Sequence, residues 1–386
     1  MYLRLFLQFF NIGTVSFGGY MSMVAVIRKR LVEEHRMMSE ETFSEGLALA
    51  SILPGPVGVN LAAYCGFFLS GLRGAFIAVT AVLLPSFSLM VILFHLIRFS
   101  GSDNYFSRAI FFVSGIAFAI ILSAGLAGLK KYCNSVTSAF VAIFTMAIVF
   151  LVPGYLTIII LLCGFALLGQ FMPATITDQS FIGSPLFSGS SVRLLAPAAA
   201  FILVAALGTL FLPALIFREF ALIGLTLFGG GYVVVPFLNA TLVESLHWIN
   251  QNDLLTGISL GQLTPGPILI SAAFFGQKIA GLSGAVAATA GMFLPSALVM
   301  IYCTYYLQYI RSSHFYLRAL TYIFPSVSGL IIISGVQILL NSWKQYDEPW
   351  HFIWWGVAFA GIYFLKINTI LMIGLAIALG LLTLAF

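Results

Sequence analysis

The residues best placed to do chemistry in this chain are two interruptions of the backbone. Pro54-Gly55-Pro56, in ILPGPVGVN, and Pro265-Gly266-Pro267, in LTPGPILIS, each fall inside an apolar stretch that would otherwise run on as helix. Proline lacks a backbone donor and clashes with the preceding turn, so one helix must end before each motif and another begin within it. The second helix starts with N–H groups that no helical carbonyl reaches and with the positive end of its dipole, a combination that attracts anions. Asn60 and Gln262, polar neighbours of the two breaks, are candidates to hydrogen-bond the same solute, and Ser271 takes Asn60's place in the second stretch. A packed kink is the alternative for one such motif; a matched pair favours a site.

A second pair of interruptions reads similarly. Phe17-Gly18-Gly19-Tyr20 and Phe228-Gly229-Gly230-Gly231-Tyr232 place consecutive glycines in apolar sequence, where they weaken a helix and bare its amides. Tyr20 and Tyr232 each add a hydroxyl donor, while close helix packing through small residues explains the glycines equally well. Lys278 is an ionisable residue in an apolar segment, which is costly and therefore a candidate for function. A continuous helix puts it about 16 Å beyond Pro267, where it either lines the path or reaches the far interface. Its first-half counterpart is Phe68. Glu33 and Glu244 are expected to pair within their loops, and Glu45 and Asp253 to stabilise helix starts, with proton coupling through Glu45 the lesser reading.

Other chemistries find no residues. Cys65, Cys133, Cys163 and Cys303 stand singly, with no C-x-x-C pair, so neither a zinc site nor a disulfide framework is indicated. No group of His, Asp, Glu or Cys within the apolar regions offers a metal site or an acid–base pair, so no metal, cofactor or enzymatic activity is expected. No GxxxxGK[ST] phosphate loop is present, which argues against transport driven by ATP on this chain.

Such breaks need long apolar elements around them, and the composition supplies these. Of 386 residues 61% are hydrophobic and only 8% charged. A soluble domain carries about 25% charged residues, so the chain has no polar skin and must sit in a bilayer. The 17 Lys and Arg residues, net charge +5, are spread too thinly to form a face for nucleic acid. A membrane crossing takes about 20 apolar residues, and runs approaching or exceeding that length lie at 75–97, 107–129, 136–152, 155–172, 194–213, 285–310, 316–340, 350–365 and 367–385. The apolar start, MYLRLFLQFFNIG, is not read as a cleaved signal, because it recurs inside the chain.

That recurrence is systematic. With a shift of 211, LFLQFFNIGTVSFGGY (5–20) lies on IFREFALIGLTLFGGG (216–231), LVE on LVE, and one PGP on the other. After one deletion the shift becomes 210, pairing GLRGA (71–75) with GLSGA (281–285) and LPS (84–86) with LPS (294–296). The expected architecture is therefore an all-α polytopic membrane protein of two homologous repeats, 1–172 and 214–386, with helices broken at FGG and PGP. A linker with an extra apolar segment, 173–213, joins them. RKRLVEEHR (28–36) holds four basic residues where NATLVESLH (239–247) holds none. Cytoplasmic loops are enriched in Lys and Arg, so the two loops are expected on opposite sides and the repeats inverted, as in many transporters.

The ordered set F-x-x-x-G-x-x-x-F-G-G-Y, a polar loop with VE, GLALASILPGPVGVN, G-x-x-x-x-G-L-x-G-A and LPS resembles the chromate ion transporter family, and both halves carry it. The combination is specific, though no single piece is. The resemblance implies a membrane oxyanion carrier with the FGG and PGP motifs around its path, and a basic residue such as Lys278 in the segment after PGP. This chain reads FGGYMSM where many long chromate exporters read FGGP followed by histidine, which bears on the substrate more than on the fold. The expected function is secondary active transport of a divalent oxyanion, chromate or sulfate-like, by alternating access in the plasma (inner) membrane. The alternative is an anion channel or a carrier of lipid or another small anion. Expected partners are the oxyanion, the lipid bilayer, a coupling proton or counter-anion and, in a homo-oligomer, further copies of the chain, but no nucleic acid.

Overall fold

A computed structural model describes residues 2–16, 20–99, 104–171, 212–227, 231–305, 314–345, 350–367 and 369–382. Gly18, Gly19, Gly229, Gly230 and nearly all of the linker with its extra apolar segment lie outside the described residues, as do the side chains of Tyr20 and Tyr232. Every regular element among the described residues is a helix.

The first repeat runs α1 (Tyr2–Val15), α2 (Tyr20–Arg28), a π-helical stretch (Lys29–Glu34), α3 (Glu40–Ile52), α4 (Val57–Phe99), α5 (Asn104–Tyr132), α6 (Val136–Leu151) and α7 (Tyr155–Leu168). The second returns the same order. It comprises α8 (Leu212–Thr226), a short turn into α9 (Val234–Leu238), a π-helical stretch (Asn239–Ser245), α10 (Gln251–Leu263), α11 (Ser271–Tyr305), α12 (His314–Gln345), α13 (Trp350–Tyr363) and α14 (Thr369–Leu382). Local chemistry sets several boundaries. Ser39 caps α3 by accepting from the Thr42 N–H, with Glu40 and Glu41 in the first turn, and Ser135 opens α6 with a reciprocal capping box to Ser138.

The two longest elements are hairpins rather than rods. In α4 the backbone leaves helical geometry at Ser70 and Gly71, the glycine at φ +65°, and in α11 at Ala280 and Gly281, the glycine at φ +63°. A Cβ on Gly66 would strike the Gly74 carbonyl, and one on Gly276 the Gly284 carbonyl. Residues eight apart touch only if the chain doubles back, so each element has an inner arm, a glycine corner and an outer arm. The break at the first PGP is a further reversal: a Cβ on Gly46 of α3 would fall against the Tyr64 ring of the inner arm. Pro54-Gly55-Pro56 is thus the tip of a helical hairpin, not a kink in a continuing span.

The chain gathers into two compact units, and neither is a single repeat. One is built from the described parts of Met1–Val91, Ile176–Gly231 and Thr264–Leu317, the other from those of Ile92–Thr175, Tyr232–Leu263 and Arg318–Phe386. In the first unit α1 lies against the outer arm of α4, with Gly13 on the Val82 carbonyl, and α8 lies against α11 likewise, with Gly224 on the Met292 carbonyl. In the second, α5 packs on α13 and α14. There Trp354 Nε1 donates to Phe112 O (2.8 Å), and Thr145 and Ser326, one from each repeat, share a hydroxyl bond of 2.9 Å.

The outer surface carries the bilayer's signature. Four helical stretches among the described residues are long and apolar enough to cross a membrane: Val57–Ile97, Gly115–Tyr132, Ile268–Thr304 and Arg318–Leu340. Large apolar side chains such as Val136, Leu156, Ile160, Ile353 and Leu371 stand exposed on the shorter helices, a cost in water that lipid removes. Polar side chains meanwhile point inward: Asn60, Ser86, Thr145, Ser296 and Ser326 are fully buried. The protein is therefore an all-α, multi-pass membrane protein with a duplicated architecture.

Candidate functional site

Within the first unit the two PGP motifs come together by exchanging partners. The Gly55 N–H donates to Leu227 O (2.7 Å), the last described residue before the second FGG, and the Gly266 N–H donates to Ser16 O (2.7 Å), the last before the first. Each tip is clasped by the other repeat's helix. The outer arms cross as well. A Cβ on Gly55 would collide with Ser296, its Oγ 2.8 Å away, and one on Gly266 would come 2.8 Å from Ser86 Oγ. These serines belong to the repeated LPS, and each hydroxyl donates to the carbonyl three residues back, Leu83 or Phe293, at 3.1 Å. Both tip glycines have positive φ, +113° at Gly55 and +108° at Gly266. Close approach and backbone conformation independently demand glycine there.

Beyond each tip a half-helix begins. Pro56 O accepts from the Val59 and Asn60 N–H groups (3.0 and 2.9 Å), and Pro267 O from the Ile270 N–H (2.9 Å). The donors of the first turn, on Val57 and Gly58, make no backbone bond among the described residues, the expected state of a helix start. Asn60 Nδ2 donates to Pro54 O at 3.1 Å. A carbonyl only accepts, so this bond fixes the amide's orientation and turns Oδ1 away. Asn60 Oδ1 then has no partner among the described residues, and neither has Ser271 Oγ at the equivalent position. Asn60 is 0% exposed and Ser271 1%. Unpaired polar atoms at such depth are expensive, and here they fall at matching positions beside matching breaks.

The hairpins run in opposite directions. Along α4 the outer arm returns to the level of the tip near Ser86, and along α11 near Ser296. Ile301, five residues past Ser296, packs with Phe67, Leu72 and Ala75 beside the first glycine corner. The second outer arm therefore heads towards the first hairpin's corner, which two parallel hairpins would not allow. This antiparallel crossing opposes the two half-helix starts across the tips.

The other candidates are placed as follows. Pro54, Gly55, Pro56, Asn60, Pro265, Gly266 and Pro267 sit at or beside the tips. Gly231 opens the turn leading into α9. Gln262 lies in the last turn of α10, in the second unit, with Nε2 unpartnered among the described residues. Lys278 is exposed and stands two residues before the corner at Ala280, at the far end of its half-helix from the PGP tip. Ser16, Ser86 and Ser296 were absent from the sequence-based set. The LPS repeat could have signalled the latter two, since its leucine follows the first proline of PGP by 30 residues in the first repeat and by 29 in the second. Among the described residues no group of His, Cys, Asp or Glu could hold a metal.

A duplicated multi-pass helical protein whose two broken motifs clasp each other within one compact unit has the architecture of a membrane transporter. The chain belongs to the chromate transporter family: the family model described as chromate transporter matches residues 3–170 and again 214–381. An uncharacterized transporter of Methanocaldococcus jannaschii is 29% identical over 99% of this chain and 94% of its own length. A probable chromate transport protein of Synechococcus elongatus is 30% identical over 76% of this chain and 73% of its own. A chromate transport protein of Cupriavidus metallidurans is 29% identical over 77% and 73%. No solved structure matches the chain.

Proposed function

We propose that the chain is a secondary active transporter of a divalent tetrahedral oxyanion, chromate or a sulfate-like ion, which it binds between the two PGP tips. The observation that carries this is the crossed pair of tips, where two half-helix starts oppose each other and Asn60 and Ser271 hold unpartnered polar atoms. Two positive dipole ends and first-turn amides replace the hydration shell of an anion without a fixed cation, so binding remains reversible. Chromate comes from the relatives' names; the geometry supports the oxyanion class. In the present conformation Gly55, Pro56, Asn60, Pro265, Gly266 and Pro267 are all buried, so substrate enters only when the tips part. Alternating access follows if the repeats, inverted across the membrane, part on one side and then the other. Purified protein in proteoliposomes tests this with chromate, sulfate, molybdate and phosphate. Saturable chromate uptake accelerated by chromate on the trans side supports a carrier. Unsaturable flux indifferent to the trans side would point to a channel, and no flux of any of the four sinks the reading.

A further inference from the structure

The two π-helical stretches differ in a way the anion path does not use. Both bond at a spacing of five, His35 N–H to Arg30 O at 3.0 Å and Leu246 N–H to Thr241 O at 2.9 Å, which brings side chains five apart alongside one another. In the first repeat Arg28 bridges Glu33 (3.0 Å) and Glu40 (2.8 Å) in an exposed cluster. The shift of 211 puts Asn239, Glu244 and Gln251 at these three positions. The bond survives, from Asn239 Nδ2 to Glu244 Oε1 at 2.8 Å. The cation and one carboxylate have been replaced by amides, and the site has moved inside: Asn239 and Thr241 are each 3% exposed and Glu244 is half-buried.

A carboxylate retained where its charged neighbours are lost and water is partly excluded carries a cost that taking up a proton relieves. Asn239 Oδ1 and Thr241 Oγ1 have no partner among the described residues. Asn239 Oδ1 shares its amide with the nitrogen that reaches Glu244, so an unpaired acceptor lies beside a carboxylate. A proton on the carboxyl supplies the donor this pair lacks once the amide turns over. Burial holds the Glu244 carboxyl above the ordinary carboxylate range, the Asn239 hydrogen bond offsetting part of that effect. Of the elements packed on this stretch, α9 carries no titratable residue and α7 carries Tyr155 and Cys163. The third, α10, carries Asp253, which accepts from the Asn250 N–H at 3.1 Å. His247 follows in the next turn, its Nδ1 2.7 Å from Val243 O. None of the three elements bears a Lys or Arg to neutralise Glu244 in place of a proton.

We propose that Glu244, clasped by Asn239 in the second repeat, is a proton-binding site that loads and releases one proton in the transport cycle; the coupling, though not the proton site, rests on the transport reading above. Two measurements on the full-length protein separate these. The first is an infrared pH titration of purified protein. A protonated-carboxyl band titrating above the usual carboxylate range should be lost in Glu244→Gln, kept in Glu244→Asp and unchanged in Glu33→Gln. The second is chromate uptake under an imposed pH gradient, whose stimulation should be lost in Glu244→Gln and restored in Glu244→Asp, as misfolding would not allow. An unchanged band in Glu244→Gln overturns the proton site, and full gradient stimulation in that variant overturns the coupling. A normal titration in a protein that moves no chromate upholds the proton site and refutes the anion reading alone.

Discussion

At the residue scale, the demands on Gly55, Gly266, Asn60 and Glu244 are distinct and separable. Alanine at Gly55 meets both a positive φ and the Ser296 side chain. The backbone term alone is roughly 1–2 kcal/mol, and the clash adds to it. Gly55→Ala should therefore melt several degrees lower in detergent as well as lose flux, so a bulky residue there tests folding and transport together. Asn60→Ala removes the clamp on Pro54 O, a loss of about 1 kcal/mol, and one of the two unpartnered polar groups at the tips. Its chromate uptake should fall at least several-fold with only a small shift in melting temperature; unchanged uptake would remove Asn60 from the site. For Glu244 the folded carboxyl titrates above its unfolded value, so the native state binds the extra proton. Stability should fall as pH rises from about 4.3, the ordinary glutamate value, through the folded one. Melting temperature against pH should show that decline in the wild type and less of it in Glu244→Gln.

At the element scale, the sequence alone carried the breaks but not their direction. PGP predicted that a helix ends and another begins, and α3 and α4 meet there as expected. Whether the chain continues or doubles back depends on Gly46 meeting Tyr64, a contact between residues 18 apart that no local pattern encodes. The corners at Gly71 and Gly281 fall just before the apolar runs at 75–97 and 285–310, but GLRGA and GLSGA aligned the repeats without showing that the chain turns back there. The serines of LPS were visible as a repeat, but only the crossing of the outer arms gives them a role. The apolar runs at 75–97, 107–129, 285–310 and 316–340 were legible as spans, since each lies largely in a helix long and apolar enough to cross a membrane, whereas those at 136–152, 155–172 and 350–365 form shorter helices. Gly66 and Gly276 hold the hairpin arms together at backbone contact. Gly276→Leu should pry them apart, at about 1–3 kcal/mol for overpacking, and lower the melting temperature more than Gly164→Leu, where a Cβ meets nothing.

At the scale of the whole molecule, the duplication explains why the same motifs occur twice and why neither repeat is a compact body. Each tip takes its partners from the other repeat, so a single repeat leaves Gly55 or Gly266 without its carbonyl. The charge difference between RKRLVEEHR and NATLVESLH has two physical sources. Inversion is the source expected from the sequence; burial is the one visible in the structure, since Asn239, Thr241 and Leu242 lie inside the second unit while Arg28, Lys29 and Glu33 are exposed. Topology is separable from burial by labelling. A cysteine at Lys29 and one at His247, both exposed positions, introduced singly after replacing Cys163, should react with an impermeant thiol reagent from opposite sides of the membrane; reaction from one side would make the repeats parallel. The central claim, that the crossed PGP tips bind a divalent oxyanion, is tested most directly by chromate counterflow in proteoliposomes with sulfate and molybdate as competitors. Saturable counterflow, inhibited by these tetrahedral dianions and several-fold weaker in Asn60→Ala, is the expected result. Counterflow that no dianion inhibits, or that Asn60→Ala leaves untouched, would contradict it.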